Sequence, residues 1–365
     1  MINNIQEIRE NADIINILST YVGLKKQGSV YKGCCPFHEE NTPSFTVYSN
    51  SGRYKCFGCG ESGDAVSFLM DYKGMTFPEA IEKVAADSKV EIHYERKENR
   101  VEWITKEKER SARASLMSDT LGFVAQYLHE NTAFKQVASQ IEGKEPVLNI
   151  DGRLLNKSTV DAFLISFYKK DLKLIELNAW DAQILRETGM VKDGQHGQYD
   201  TFRNRLMFPI LSHTGKVIGF GGRKPSSDTN KENPKYINSA DSEVYSKGKA
   251  LFGLYQNKKG IKDKEYAILV EGYFDVVTPY DDGVQNLVAT CGTALTDDQA
   301  RLLKRYTDDC VILRDGDEAG MKATLRDVET LIRAGLKVKV CFLESGDPDD
   351  FVRKHTGRGF IAFVE

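Results

Sequence analysis

The 365-residue chain has no apolar run that approaches the roughly 18 residues of a membrane span. Its opening, MINNIQEIREN, also lacks the basic-then-apolar order of a secretory leader. Neither a membrane protein nor an exported one is expected, and the expected compartment is the cytoplasm, of a bacterium or of a host carrying a phage. The chain lacks an even complement of cysteines too, holding seven. In a reducing compartment this argues against a disulfide framework and leaves clustered thiols for a metal. No internal repeat or low-complexity tract stands out. With 41% hydrophobic and 28% charged residues, the chain is long enough for two or three domains with their own cores.

Net charge is small, -3, until it is resolved along the chain. From Thr201 to Lys262 there are twelve Lys/Arg against four Asp/Glu, a balance of +8. From Glu265 to Asp350 nine Lys/Arg face eighteen Asp/Glu, a balance of -9. Adjoining segments of opposite sign suit one surface for a polyanion and another for cations.

Four cysteines and a histidine crowd into YKGCCPFHEENTPSFTVYSNSGRYKCFGCGESGD. Cys35 and His38 form a C-x2-H pair, and seventeen residues later Cys56 and Cys59 form C-x2-C. Two such pairs and a spacer are the spacing of a zinc ribbon: a two-residue gap turns both side chains of a pair toward one point. The spacer alternates Phe45 and Val47 with polar neighbours and turns at NSG, as a β-hairpin does. The expectation is one structural Zn2+ on Cys35, His38, Cys56 and Cys59, with Cys34 outside the set. Lys32, Arg53, Tyr54, Lys55 and Phe57 around it suit single-stranded nucleic acid, and core packing accounts for the aromatics equally well.

Apolar positions at Ile5, Ile8, Ala12, Ile15 and Leu18 predict one helix leading into the ribbon. DAVSFLMDYKGMTFPEAIEKVAADS reads as two helices broken at KGMTFP, with Asp64 as N-cap. Residues 94 to about 118 are rich in Lys, Glu and Arg and read as a linker or exposed helix. Farther on, RNRLMFPILSHTGKVIGFGGR has two apolar runs around SHTG, an antiparallel hairpin. YAILV (266–270), NLVAT (286–290), CVILR (310–314) and VKVCFL (338–343) are short apolar runs suited to strands buried on both faces. Helical stretches separate them, which implies a mostly parallel sheet covered by helices.

Acids fall where those strands end, the place where open α/β sheets bind their ligands. Glu271 follows the first strand with Asp275 a turn later; Asp315-Gly316-Asp317 ends the third; ESGDPDD supplies Asp347, Asp349 and Asp350 after the last. Oxygen-only ligands around one pocket select hard cations, Mg2+ or Mn2+, which points to metal-assisted phosphoryl chemistry.

VEGYFDVV, DGDEAG and GDPDDFV together resemble the Toprim domain of DnaG-type primases, topoisomerases and some nucleases. CCPFHEENTPSFTV…YKCFGCGESGD resembles the zinc-binding domain of bacterial-type primases, and RNRLMFPI…GKVIGFGGR…PKYINS…SKGKALFGLY their basic segment. The chain is therefore identified as a member of the DnaG primase family. The resemblance implies a multidomain α/β protein: a zinc-ribbon domain (1–95), a linker (96–118), an α+β basic subdomain (119–262) and a Toprim α/β domain with a mostly parallel sheet (263–365). It implies Glu271, Asp315 and Asp317 as catalytic metal-binding acids, with Asp347 and Asp349 as further members and Asp275 as a secondary one. Arg203, Arg205, Lys235 and Lys247 match groove positions for template and nucleotides; Arg223, Lys216 and, on a weaker match, Arg153 join them. Arg314 stands where the family more often has an aromatic residue, either to meet a triphosphate or to balance the acids.

The implied activity is primer synthesis: a DNA-directed RNA polymerase that starts from two ribonucleoside triphosphates on single-stranded DNA and leaves an RNA primer. A monomer is expected. No helicase-binding domain follows the Toprim motifs, so a shortened chain and a compact, viral-type member both fit, and a replicative helicase is a partner by resemblance alone. Two other classes share these features: a Toprim nuclease or topoisomerase-like enzyme, and a non-catalytic adaptor for single-stranded DNA.

Overall fold

The computed structural model describes residues 2–38, 40–73, 75, 77–93, 100–132, 134–137, 146–177, 181–194, 197–292, 294–315, 318–343 and 346–365. They fall into two compact units, 1–115 and 116–365. Among the described residues no helix is long and apolar enough to cross a membrane.

The first unit opens with helices α1 (Ile5–Glu10) and α2 (Ile14–Ser19), where the apolar spacing predicts a single helix. The break has a local cause. Asp13 accepts the N–H of Asn16 at 3.1 Å and caps a new helix, which buries Ile14, Ile17 and Leu18 and leaves Ile15 half-buried. Strands β1 (Lys25–Gln27), β2 (Val30–Gly33), β3 (Phe45–Tyr48), β4 (Arg53–Cys56) and β5 (Ser62–Asp64) pair antiparallel in chain order. Phe45 lies opposite Cys56 and Val47 opposite Tyr54, so the expected hairpin forms. Helices α3 (Ala65–Lys73) and α4 (Phe77–Ser88) follow, and Asp64 caps the first by accepting the N–H of Ser67 at 2.8 Å. Phe45, Tyr54 and Phe68 pack ring to ring within 5.0–6.1 Å and form the core. Tyr54 is thus a core residue, while Phe57 stays half exposed with Lys55 Nζ 5.7 Å from its ring.

Helix α5 (Arg100–Glu130) contributes Leu121, Val124, Ala125 and Leu128 to a core of the second unit. Strands β6 (Lys135–Val137), β7 (Val147–Ile150) and β8 (Arg153–Asn156) make a small antiparallel sheet. After α6 (Lys157–Ala162) come β9 (Ser166–Tyr168), α7 (Ala182–Glu187) and a hairpin of β10 (Val191–Gly194) and β11 (Gly197–Asp200). The predicted hairpin around SHTG is β12 (Arg205–Leu211) with β13 (Val217–Arg223), in a sheet of order β14-β13-β12-β9 whose β14 is Tyr236–Asn238. Its glycines have a reason: a Cβ on Gly221 would lie 2.1 Å from the ring of Tyr273, so only glycine lets this sheet close on the next one.

That next sheet is parallel, in the order β16-β15-β17-β18. Helix α8 (Leu254–Lys264) precedes β15 (Tyr266–Val270); α9 (Tyr273–Asp281), β16 (Leu287–Ala289), α10 (Asp297–Lys304), β17 (Asp309–Asp315), α11 (Glu318–Arg333), β18 (Lys337–Leu343) and α12 (Pro348–Val364) follow. Ile268, Leu269 and Val270 are at most 1% exposed, and each such side chain stabilises the fold by about 1.5–3 kcal/mol. β18 departs from the expectation of burial on both faces. It ends the sheet, with Lys337, Lys339 and Phe342 exposed, because no strand among the described residues pairs with its outer edge.

Candidate functional site

In the first unit, Cys35, His38, Cys56 and Cys59 each bring a donor atom within 4.8 Å of the others. The Cys35 and Cys59 sulfurs are 3.8 Å apart, and His38 Nδ1 is 3.9 Å from Cys56 Sγ. Backbone N–H groups of Gly58 and Cys59 donate to Cys56 Sγ at 3.2 and 3.4 Å, and that of Phe37 to Cys35 Sγ at 3.4 Å. Hydrogen bonds from the Cys35 and Cys59 thiols hold Cys56 well below the usual thiol range, while the bonds to Cys56 push Cys35 and Cys59 up, so the three sulfurs titrate as one group. His38 Nε2 faces Glu40 Oε2 at 3.3 Å, and Glu40 Oε1 accepts the N–H groups of Cys35 and Ser44. This carboxylate fixes the ring with Nδ1 toward the sulfurs, the outer shell of a metal-ligating histidine. A Cβ on Gly58 would fall 2.4 Å from His38 Nε2, so the knuckle requires glycine there. Cys34 is exposed and outside the cluster. The donors are three sulfurs and one nitrogen, the closed set of a structural zinc site.

In the second unit, a cleft of about 240 Å³ is lined by Glu271, Asp275 and Asp347 together with Arg153, Arg223 and Lys235. The acids come from strand ends as expected. Glu271 follows β15, its carbonyl accepting the N–H of Cys291 at 3.0 Å, and Asp347 caps α12 by accepting the N–H of Asp350 at 2.8 Å. The cations come from the antiparallel sheets. Arg153 lies 3.9 Å and Arg223 5.2 Å from the centre of the Phe274 ring, so one aromatic ring supports both guanidinium groups. Asp151 pairs with Arg223 and accepts the Ser226 N–H at 2.8 Å, which ties the loop after β13 to the β7–β8 turn.

Burial pushes the Asp275 carboxyl up to about 7, with the charges of Asp347, Asp349 and Glu271 adding to it against the Gly272 N–H that it accepts at 2.8 Å. A proton held more tightly in the folded than the unfolded state stabilises below the ordinary carboxyl range, and that stability is lost as pH rises toward 7. In chelator, the melting temperature should fall between about pH 4 and pH 7, and Asp275→Asn should flatten the slope; an unchanged slope would remove Asp275 as its source.

Other sequence-predicted residues lie elsewhere. Asp349 is buried, accepting Thr278 Oγ1 at 2.6 Å and pairing with Arg153 and with Arg353 Nε at 3.5 Å. One oxygen each of Asp347, Asp349 and Asp350 also lies within 4.8 Å of the others. Asp349→Ala would leave Arg153 charged and unpaired, a loss of about 3–5 kcal/mol that denaturant melts would read. A loss below about 1 kcal/mol would show that Asp349 does not anchor Arg153. Arg205 points inward, its Nη1 donating to the carbonyls of Pro234 at 2.9 Å and Gly222 at 3.4 Å. Arg203 is exposed, 5.1 Å from the Tyr199 ring, and Lys247 Nζ reaches the Gly292 carbonyl, at the cleft's rim, at 3.4 Å. Asp315 ends β17 and its side chain is outside the description; Asp317 lies outside the described residues. Tyr236, Phe274 and Cys291 line the cleft without having been singled out, although Tyr236 directly follows Lys235 and Phe274 lies inside the VEGYFDVV motif.

Comparison with known proteins places three family segments on the chain in order: the CHC2 zinc finger over residues 2–100, the N-terminal domain of the DNA primase catalytic core over 133–258, and a Toprim-like domain over 268–352. The DNA primases of Halalkalibacterium halodurans and Clostridium acetobutylicum are 37% and 39% identical over 98% and 99% of the chain. The chain spans 58% of the length of each. Among solved structures, the zinc-binding and RNA polymerase domains of the Aquifex aeolicus primase match all of it at 34% identity and a TM-score of 0.59, with 85% of that protein covered. Three primase segments in order, together with relatives 37–39% identical over nearly the whole chain, show that the chain belongs to the DnaG-type DNA primase family.

Proposed function

We propose that the chain synthesises short RNA primers on single-stranded DNA, as a nucleotidyltransferase of the DNA-directed RNA polymerase type. One observation carries the reading: carboxylates from the parallel sheet's strand ends share a single cleft with three cations, Arg153 on β8, Arg223 on β13 and Lys235 just before β14, all from the antiparallel sheets. Glu271 and Asp347 hold a divalent cation, Mg2+ or Mn2+, together with Asp315, which ends the neighbouring strand, and Asp317, two residues on in the sequence. Such a cation polarises the α-phosphate and offsets charge on the departing pyrophosphate. Arg153, Arg223 and Lys235 take the triphosphate and template phosphates. Arg203 and Lys247 extend the positive surface; Arg205 supports the strand beneath it. Zn2+ occupies the Cys/His group and organises the first unit. A DnaG catalytic domain 30% identical to this chain, with a TM-score of 0.59, has been solved bound to single-stranded DNA, which supports the same template here. The finer domain limits at 95, 118 and 262 belong to this proposal.

The test is incubation of the purified protein with single-stranded templates and labelled ribonucleoside triphosphates, with Mg2+, Mn2+ or EDTA. Short RNA should appear only with a cation, and template binding should weaken steeply with salt. Shortened template in place of new RNA would mean a nuclease. Equal template binding in EDTA with no synthesis under any condition would mean an adaptor.

A further inference from the structure

Arg314 sits on β17, one residue before Asp315, with its side chain 8% exposed. One terminal nitrogen donates to Glu271 Oε1 and the other to Asp327 Oδ2 on α11. Asp327 is itself only 2% exposed, and its Oδ1 accepts the N–H of Leu295 at 3.2 Å. The arginine is therefore fixed at its buried end, since turning away would leave an uncompensated carboxylate in the core. Its outer end meets the opposite situation: the Glu271 side chain is 54% exposed, and an ion pair on so open a carboxylate adds little to stability. The consequence of the contact falls on Glu271, whose main chain is already held by Cys291.

Resting on the reading that Glu271 holds a divalent cation, we propose that Arg314 is a positioning residue that grips one oxygen of Glu271 and, as a fixed positive charge, keeps the cation exchangeable. The two effects separate. The charge repels an arriving cation and lowers its affinity; one prong of the fork, held in place by the other prong on Asp327, restricts the Glu271 carboxylate to one orientation and raises the turnover of the bound state. A lysine keeps the charge and loses the fork.

The experiment measures Mn2+ affinity of the full chain by calorimetry, without nucleotides, beside kcat for primer synthesis. Arg314→Met is combined with Asp327→Asn, which keeps an acceptor for Leu295 and leaves no unpaired charge in the core. The double variant should bind Mn2+ about tenfold more tightly and turn over more slowly. Arg314→Lys should keep wild-type affinity and still lose kcat. Wild-type or weaker affinity in the folded double variant would overturn the proposal, as would unchanged kcat in Arg314→Lys, which stands even if the double variant does not fold. Glu271→Gln separates the layers: if it leaves Mn2+ affinity unchanged, the cation reading fails and this inference with it. If it abolishes binding while the double variant matches wild type, the inference alone falls.

Discussion

Glu271→Gln should leave a folded protein that binds template and makes almost no RNA. The change is isosteric, and at 54% exposure the side chain contributes little to the core. What disappears is a full negative charge at the mouth of a cleft whose other acids are partly committed elsewhere: Asp275 caps α9 and Asp347 caps α12. Removing one preorganised electrostatic group from a reacting centre costs about two to three orders of magnitude in turnover, and a cation lost altogether costs more. Primer synthesis against template binding and circular dichroism separates the outcomes. Activity within about threefold of wild type would exclude Glu271 from the chemistry.

Stripping the metal from the first unit should have the largest structural effect. Cys35 and Cys56 are 7% and 0% exposed, inside the same core as Phe45, Tyr54 and Phe68. In small zinc domains metal binding itself supplies folding energy, about 10–16 kcal/mol in peptides. A strong chelator should therefore melt the β2–β5 hairpins while the second unit, which has cores of its own, stays folded. Metal analysis should give about one zinc per chain. Cys35→Ser, Cys56→Ser or Cys59→Ser should lose it, and the exposed Cys34→Ser should keep it. Zinc loss in Cys34→Ser, or a chelated protein with unchanged circular dichroism, would contradict the assignment.

Period and spacing made much of this legible. YAILV, CVILR and the SHTG hairpin are strands where the apolar pattern puts them, because burial on a sheet writes itself locally. The C-x2-H and C-x2-C pairs are equally local, since two residues suffice to converge two donors. Three things were not local. The break between α1 and α2 turns on one cap, Asp13, inside a stripe that is apolar at helical spacing on both sides. The fate of each arginine depends on partners far along the chain: Arg205 meets the Pro234 carbonyl, Arg153 meets Asp349, and Arg314 meets Glu271 and Asp327. Arg314 thus balances acids, one of the two roles open to it from sequence. Finally, Asp349 sits in the same acidic run as Asp347 yet is buried, because its partners Thr278 and Arg153 lie far along the chain.

The most direct measurement is anomalous diffraction from crystals soaked in Mn2+. A manganese peak within coordination distance of the Glu271 and Asp347 carboxylates, on the side of the cleft facing Arg153, Arg223 and Lys235, is the expected result. Full occupancy at some other place, with the 240 Å³ cleft left without manganese, would contradict it.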